Sequence, residues 1–228
     1  MFLLQRLGGC ISLWFSLMRV SYQIVYGYFR LQKLPHPMVT IFGGARALQT
    51  DDYAELAHEL GQRLAKAGIS VVTGGGSGIM EAASCGATNE KNGGSSIGIG
   101  VKGLGEGQNP CVKEYFILDY FFARRWLLTR YSDGFIVFPG GYGTLDELTE
   151  LLTLIRTKKL PVSPIVLIGI EYWQPFMDWL KKEVLGHRFI IEEHLEIFVL
   201  TDDIQEAFDI VHDFCRPIMS EKDKKDKK

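Results

Sequence analysis

The sequence predicts an α/β fold: a Rossmann-like, doubly wound parallel sheet forming a single domain, with an extra helix at its N-terminus. Three observations predict it. Short apolar runs of strand length alternate with longer segments of helical period. Several of these runs are apolar throughout, as strands covered on both faces must be. Three glycine clusters, Gly43-Gly44, Gly74–Gly78 and Gly140–Gly143, follow predicted strands, at the edge where such sheets bind ligands.

Residues 1–36 stand apart. Their uncharged runs, Leu7–Met18 and Val20–Phe29, are divided by Arg19, and both fall short of the roughly 18 apolar residues of a membrane span. This segment is expected to be an amphipathic helix and linker that packs on the domain or a partner subunit. Attachment to a membrane surface is the less favoured alternative. Leu34-Pro-His-Pro37 is a stiff connection into the main domain, residues 37–216.

Within that domain Val39–Phe42 predicts the first strand. Leu56, Leu60 and Leu64 at four-residue spacing predict a helix over Tyr53–Ala67, stopped by Gly68. Ile69–Val72 is the second strand, and a helix over Ile79–Ala87 follows its glycine turn. Ser95–Ile99 and Tyr115–Leu118 are the third and fourth strands. A helix over Phe121–Tyr131 leads to strand Gly134–Phe138, the loop Pro139–Gly143 and a helix over Thr144–Arg156. Strand Ile165–Ile168, helix Tyr172–Val184, strand Phe198–Leu200 and helix Ile204–Phe214 complete the pattern. The lysine-rich end predicts a solvated, disordered tail over 217–228.

Composition removes several function classes. With 228 residues, 46% hydrophobic and 23% charged, the chain is long enough for one core and too apolar to be disordered. A net charge of −2 provides no basic field for nucleic acid. Cys10, Cys85, Cys111 and Cys215 form no C-x-x-C pair, so neither a zinc site nor a disulfide scaffold is expected, and a cytoplasmic location follows. The glycine clusters offer too few carboxylates or histidines for a metal cage.

The 25 glycines are the unusual entry in the composition, and nine of them lie in the three strand-end clusters. Glycine lets the backbone approach a ligand closely, and the helix that follows presents free N–H groups and a positive dipole end. Three such turns on one edge favour phosphate binding over simple tight turns. The dinucleotide pattern G-x-G-x-x-G fails: read from Gly74 it ends on Ile79, and from Gly76 on Glu81. No G-x-x-x-x-G-K-[ST] occurs, so a mononucleotide or sugar phosphate fits better than a P-loop substrate.

Two motifs then combine. Thr73-Gly-Gly-Gly-Ser-Gly-Ile-Met-Glu-Ala-Ala83 with Pro139-Gly-Gly-Tyr-Gly-Thr-Leu-Asp-Glu147 resembles the LOG ("Lonely Guy") family, long mislabelled lysine decarboxylases. The family pattern P-G-G-x-G-T-x-x-E is met at every specified position, and Phe121-Phe-Ala-Arg-Arg-Trp126 looks like the family's arginine-bearing helix. The resemblance runs from about Val39 to Phe214. Ser77 stands where relatives often carry proline, and Gly43-Gly44-Ala45-Arg46 replaces the commoner glycine-serine turn.

The resemblance implies hydrolysis of the N-glycosidic bond of a nucleoside 5′-monophosphate, either AMP or an N6-modified AMP of the cytokinin type. It implies catalytic roles for Glu147, expected in the first turn of its helix, and for Arg124. Substrate binding is expected from Gly75, Gly76, Ser77 and Gly78, from Arg125, and from Gly140, Gly141, Tyr142, Gly143 and Thr144. A carboxylate can stabilise the positive charge that builds on the ribose, and a guanidinium can clamp its oxygens. Arg125, about 100° around the helix from Arg124, cannot do the same job. Met80 sits at core spacing and reads as packing. No cofactor is implied, and a homodimer or larger homo-oligomer is. The alternative is a non-catalytic nucleotide or cofactor carrier of the same fold. A decarboxylase is disfavoured, because the glycine clusters contain no lysine for a Schiff base, Lys102 being the nearest.

Overall fold

Strands form where the runs of Val, Ile and Phe lie, and one sheet gathers them all. The computed structural model describes residues 2–88, 95–105 and 107–226. Its strands are β1 (Met38–Phe42), β2 (Ser70–Thr73), β3 (Ser96–Val101), β4 (Glu114–Leu118), β5 (Gly134–Val137), β6 (Ile165–Ile168) and β7 (Val199–Thr201). They lie in the order β4-β3-β2-β1-β5-β6-β7, and every pairing is parallel. β1, β2, β5 and β6 are buried at each residue. The edge strands β4 and β7 retain exposed positions, as strands with one neighbour do.

Helices cover both faces. On one, α2 (Asp52–Lys66), α3 (Ile79–Thr88) and α7 (Ile204–Asp226) set Leu60, Leu64, Ile79, Ala83 and Val211 against Val39, Ile41 and Val71. On the other, α4 (Phe121–Arg130), α5 (Tyr142–Arg156) and α6 (Ile170–Trp179) set Leu127, Leu148, Leu151 and Trp173 against Phe42, Val72 and Val137. This is the doubly wound, Rossmann-like architecture that the sequence predicts.

The N-terminal helix α1 (Phe2–Leu31) packs on the domain through its second half. Leu31 and Val20 are buried, and Tyr26 and Tyr28 make ring contacts with Phe116 and Tyr131. Gln23 Nε2 donates to Asp119 Oδ2 at 2.6 Å and its Oε1 accepts from the Asp119 N–H at 3.1 Å. Arg19 pairs with the same carboxylate, and Arg30 pairs with Glu114 at 3.1 Å. The preceding stretch leaves Leu13, Trp14, Phe15 and Leu17 exposed. Among the described residues no helix is long and apolar enough to cross a membrane.

Four expectations are corrected. First, α5 begins at Tyr142 rather than Thr144, which moves Glu147 from the first turn to the second. Second, helical structure beyond β6 starts at Ile170 and continues past α6 as a π-helical segment, Leu180–Leu185. Third, α7 runs to Asp226, so residues 217–226 are helical rather than a disordered tail. Lys and Glu are good helix formers, and extending an existing helix avoids the cost of nucleation. Fourth, Cys85 and Cys111 form a disulfide, with Cα atoms 4.7 Å apart. They are 26 residues apart in the chain, and only the return of the chain after β3 brings them together. The argument for a cytoplasmic location from unpaired cysteines does not hold for this pair.

Candidate functional site

Chain order and sheet order disagree at one place, between β1 and β5. From β1 the strands proceed outward through β2 and β3 to β4, and then α4 carries the chain back to β5 on the other side of β1. The loops leaving the carboxyl ends of β1 and β5 therefore diverge, and a crevice opens between them. Here lies a pocket of about 550 Å³, lined from the β1 turn by Phe42–Arg46, from α4 by Phe121, Arg124 and Arg125, and from α5 by Gly141–Thr144, Asp146 and Glu147. Ser77, Met80 and Leu104 complete the lining.

The three glycine turns are tied into one unit. Gly44 N–H donates to the Pro139 carbonyl at 2.9 Å, and the Gly44 carbonyl accepts from Ile79 N–H at 3.1 Å. Ser77 Oγ donates to the Ala45 carbonyl at 2.7 Å. Gly78 adopts φ +67°, and a Cβ there would collide with the Gly44 carbonyl, so this crossing requires glycine. Behind the second turn, Asn109 N–H donates to the Gly75 carbonyl and its Nδ2 to the Gly76 carbonyl, each at 2.9 Å. Tyr172 Oη braces the third by donating to the Gly140 carbonyl at 2.5 Å.

α5 opens directly onto the pocket. Its N-cap, Gly141, has extended backbone and no capping side chain, so the N–H groups of the first turn lack intrahelical acceptors. With the dipole end they favour an anion. Tyr142 is 93% exposed, whereas Thr144 is buried beside Gly140.

One turn further on, Glu147 meets Arg124. The Arg124 Nη2 donates to Glu147 Oε1 at 3.2 Å, and the residues are 7% and 8% exposed. A Cβ on Gly74 would collide with this guanidinium and with the Met80 sulfur, so Gly74 makes room for the pair. The Arg124 Nε–H is buried without an acceptor among the described residues. Arg125 turns to other partners on α5, Asp146 and Glu150, the latter at 3.0 Å. Burial pushes the Glu150 carboxyl above its ordinary range, with Arg125 opposing and Asp146 adding to the rise.

Of the residues singled out by sequence, Arg124, Arg125, Ser77, Gly141, Tyr142, Gly143, Thr144 and Glu147 line the pocket. Gly75, Gly76, Gly78 and Gly140 belong to the turns but are not among the lining residues. Met80 lines it while remaining buried. Sequence reasoning missed Arg46, Phe121, Leu104 and Asp146. Arg46 had a usable signal, since it follows a glycine pair at a strand end. Asn109 belongs to no pattern and is recognised only by its hydrogen bonds. Among the described residues no group of three or more His, Cys, Asp or Glu is placed to hold a metal.

Residues 80–211 match the family described as "possible lysine decarboxylase". A cytokinin riboside 5′-monophosphate phosphoribohydrolase of Oryza sativa subsp. japonica is 30% identical over 172 residues, 74% of this chain and 69% of its own. One from Arabidopsis thaliana is 30% identical over 180 residues, 77% of this chain and 82% of its own. Among solved structures, the molybdenum cofactor carrier protein of Chlamydomonas reinhardtii superposes with a TM-score of 0.57 at 22% identity, over 78% of this chain and 97% of that one. The last likeness is one of fold.

Proposed function

The chain belongs to the LOG family, and from that membership we propose that it hydrolyses the N-glycosidic bond of a nucleoside 5′-monophosphate, AMP or an N6-modified AMP. The products are free base and ribose 5-phosphate. The observation that carries this reading is the buried Arg124–Glu147 pair at the wall of a pocket whose other wall is an uncapped helix N-terminus.

In the proposed reaction the 5′-phosphate docks on the first-turn N–H groups at Tyr142, Gly143 and Thr144. The ribose then lies along α5 towards Glu147, one turn deeper. As the C1′–N bond breaks, its electron pair leaves with the base and positive charge builds on the ribose, which the Glu147 carboxylate stabilises. Water oxygen bonds to C1′, and the proton it loses ends on the departing base. Arg124 orients the carboxylate through Oε1 and presents its remaining N–H groups to ribose oxygens. Phe121 and Leu104 supply an apolar surface for the base.

The proposal extends to assembly. Phe121, Phe122 and Trp126 are exposed on α4 beside the pocket, and a second copy covering them would shield the base from water in a homodimer. The test of function is incubation with AMP and an N6-prenylated AMP, with chromatography of free base. Binding of nucleotide without release of base would leave the chain a carrier rather than a hydrolase.

A further inference from the structure

Three arginines line the pocket, and two are engaged. Arg124 is held by Glu147, and Arg125 by Asp146 and Glu150. Arg46 lines the same pocket and forms no ion pair among the described residues. Counting the lining side chains, Arg124 and Arg125 are balanced by Asp146 and Glu147, so the excess positive charge of the site is that of Arg46.

Its backbone is firmly placed. Gly44, two residues before, donates to Pro139 at 2.9 Å, and the carbonyl of Ala45, one residue before, accepts from Ser77. These bonds hold the turn against the loop that opens α5. Arg46 is exposed, stands on this fixed turn and lines the same pocket as Gly141–Thr144 at the start of α5. A phosphate monoester dianion brings more charge than a helix end, equivalent to about half a unit, can balance. A guanidinium supplies a full charge and a fork of donors matched to phosphate oxygens.

We infer that Arg46 binds the 5′-phosphate together with the α5 N-terminus and makes the site select nucleoside monophosphates over nucleosides. The inference rests on the nucleotide reading above, but its test does not depend on turnover. The probes are ribose 5-phosphate and adenosine, titrated calorimetrically into the full-length protein and into Arg46→Ala, Arg46→Lys and Arg46→Glu. Loss of a charge-assisted contact predicts binding of ribose 5-phosphate about 10- to 30-fold weaker in Arg46→Ala. Arg46→Lys should recover part of this and Arg46→Glu should lose more, while adenosine binding stays unchanged and all variants melt with the parent. With AMP as substrate, KM should rise in Arg46→Ala while kcat is retained.

Unchanged binding of ribose 5-phosphate in Arg46→Ala, or equal weakening of both probes, overturns the inference. So does failure of the unaltered protein to bind ribose 5-phosphate. If that protein binds ribose 5-phosphate in an Arg46-dependent way yet releases no base, the inference stands and the hydrolase reading falls.

Discussion

Arg124 on α4 and Glu147 on α5 meet across 3.2 Å, and the pair is almost wholly withdrawn from solvent. Two charges in such a place cost desolvation that their attraction offsets only while both are present. The pair is thus a poor source of stability and a good means of fixing a carboxylate against a substrate. Leu127 and Leu148, both fully buried, pack on the same two helices and already hold them together.

Removing one partner should therefore be worse for stability than removing both. Arg124→Leu alone takes the guanidinium away from a buried carboxylate, at a cost of about 3–5 kcal/mol. The double variant Arg124→Leu/Glu147→Leu should recover most of that loss and remain inactive. Urea unfolding midpoints compared with base release measure the two effects separately. A double variant as unstable as the sum of the singles would contradict this account of the pair.

Glu150 gives a pH dependence of defined sign. Its carboxyl is raised above the ordinary value of 4.5, chiefly by burial, so the folded protein holds this proton more tightly than the unfolded chain does. Its contribution to stability then falls as pH rises from about 4.5 through the raised folded value. Glu150→Gln, which removes the titration, should melt at or above the parent at pH 7, and the difference should vanish towards pH 4. Asp146 keeps Arg125 paired in the variant. A Glu150→Gln protein that is less stable at pH 7 than at pH 4, relative to the parent, would show that the ion pair with Arg125 outweighs burial.

The thiols should separate by environment. Burial, with Asp133 nearby, pushes the Cys215 thiol up to about 12, which leaves almost no thiolate at pH 8. Cys10 is exposed. Iodoacetamide at pH 8 should therefore add once to the folded protein, at Cys10. It should add twice after unfolding without reductant and four times after reduction, which releases Cys85 and Cys111. Intact mass spectrometry reads all three states, and modification of Cys215 in the folded protein would be the contrary result.

Much of the fold was legible because the strands are apolar throughout and glycine marks their carboxyl ends. Val39–Phe42, Ile165–Ile168 and the helix carrying Leu56, Leu60 and Leu64 could be read with boundaries off by a residue or so. Arg124 and Glu147 were legible because a spaced motif named them, although nothing local revealed that they touch. What could not be read depended on placement across the chain. Cys85 and Cys111 meet only after the chain has passed through β3, and Asn109 finds Gly75 and Gly76 from a loop without periodicity. The start of α5 shifted because Tyr142 and Gly143, which resemble loop residues by type, take helical backbone once Gly141 has made the turn.

Hydrolysis at Glu147 is tested most directly by base release from AMP by the unaltered protein and by Glu147→Gln, each first shown to bind the nucleotide. It predicts that the unaltered protein yields free adenine and ribose 5-phosphate in equal amounts. It also predicts that Glu147→Gln retains binding while its rate falls by about 10²- to 10³-fold, as when a single electrostatic group is withdrawn from a developing charge. Nucleotide bound by the unaltered protein without any adenine released, or release by Glu147→Gln at the parent rate, would contradict it.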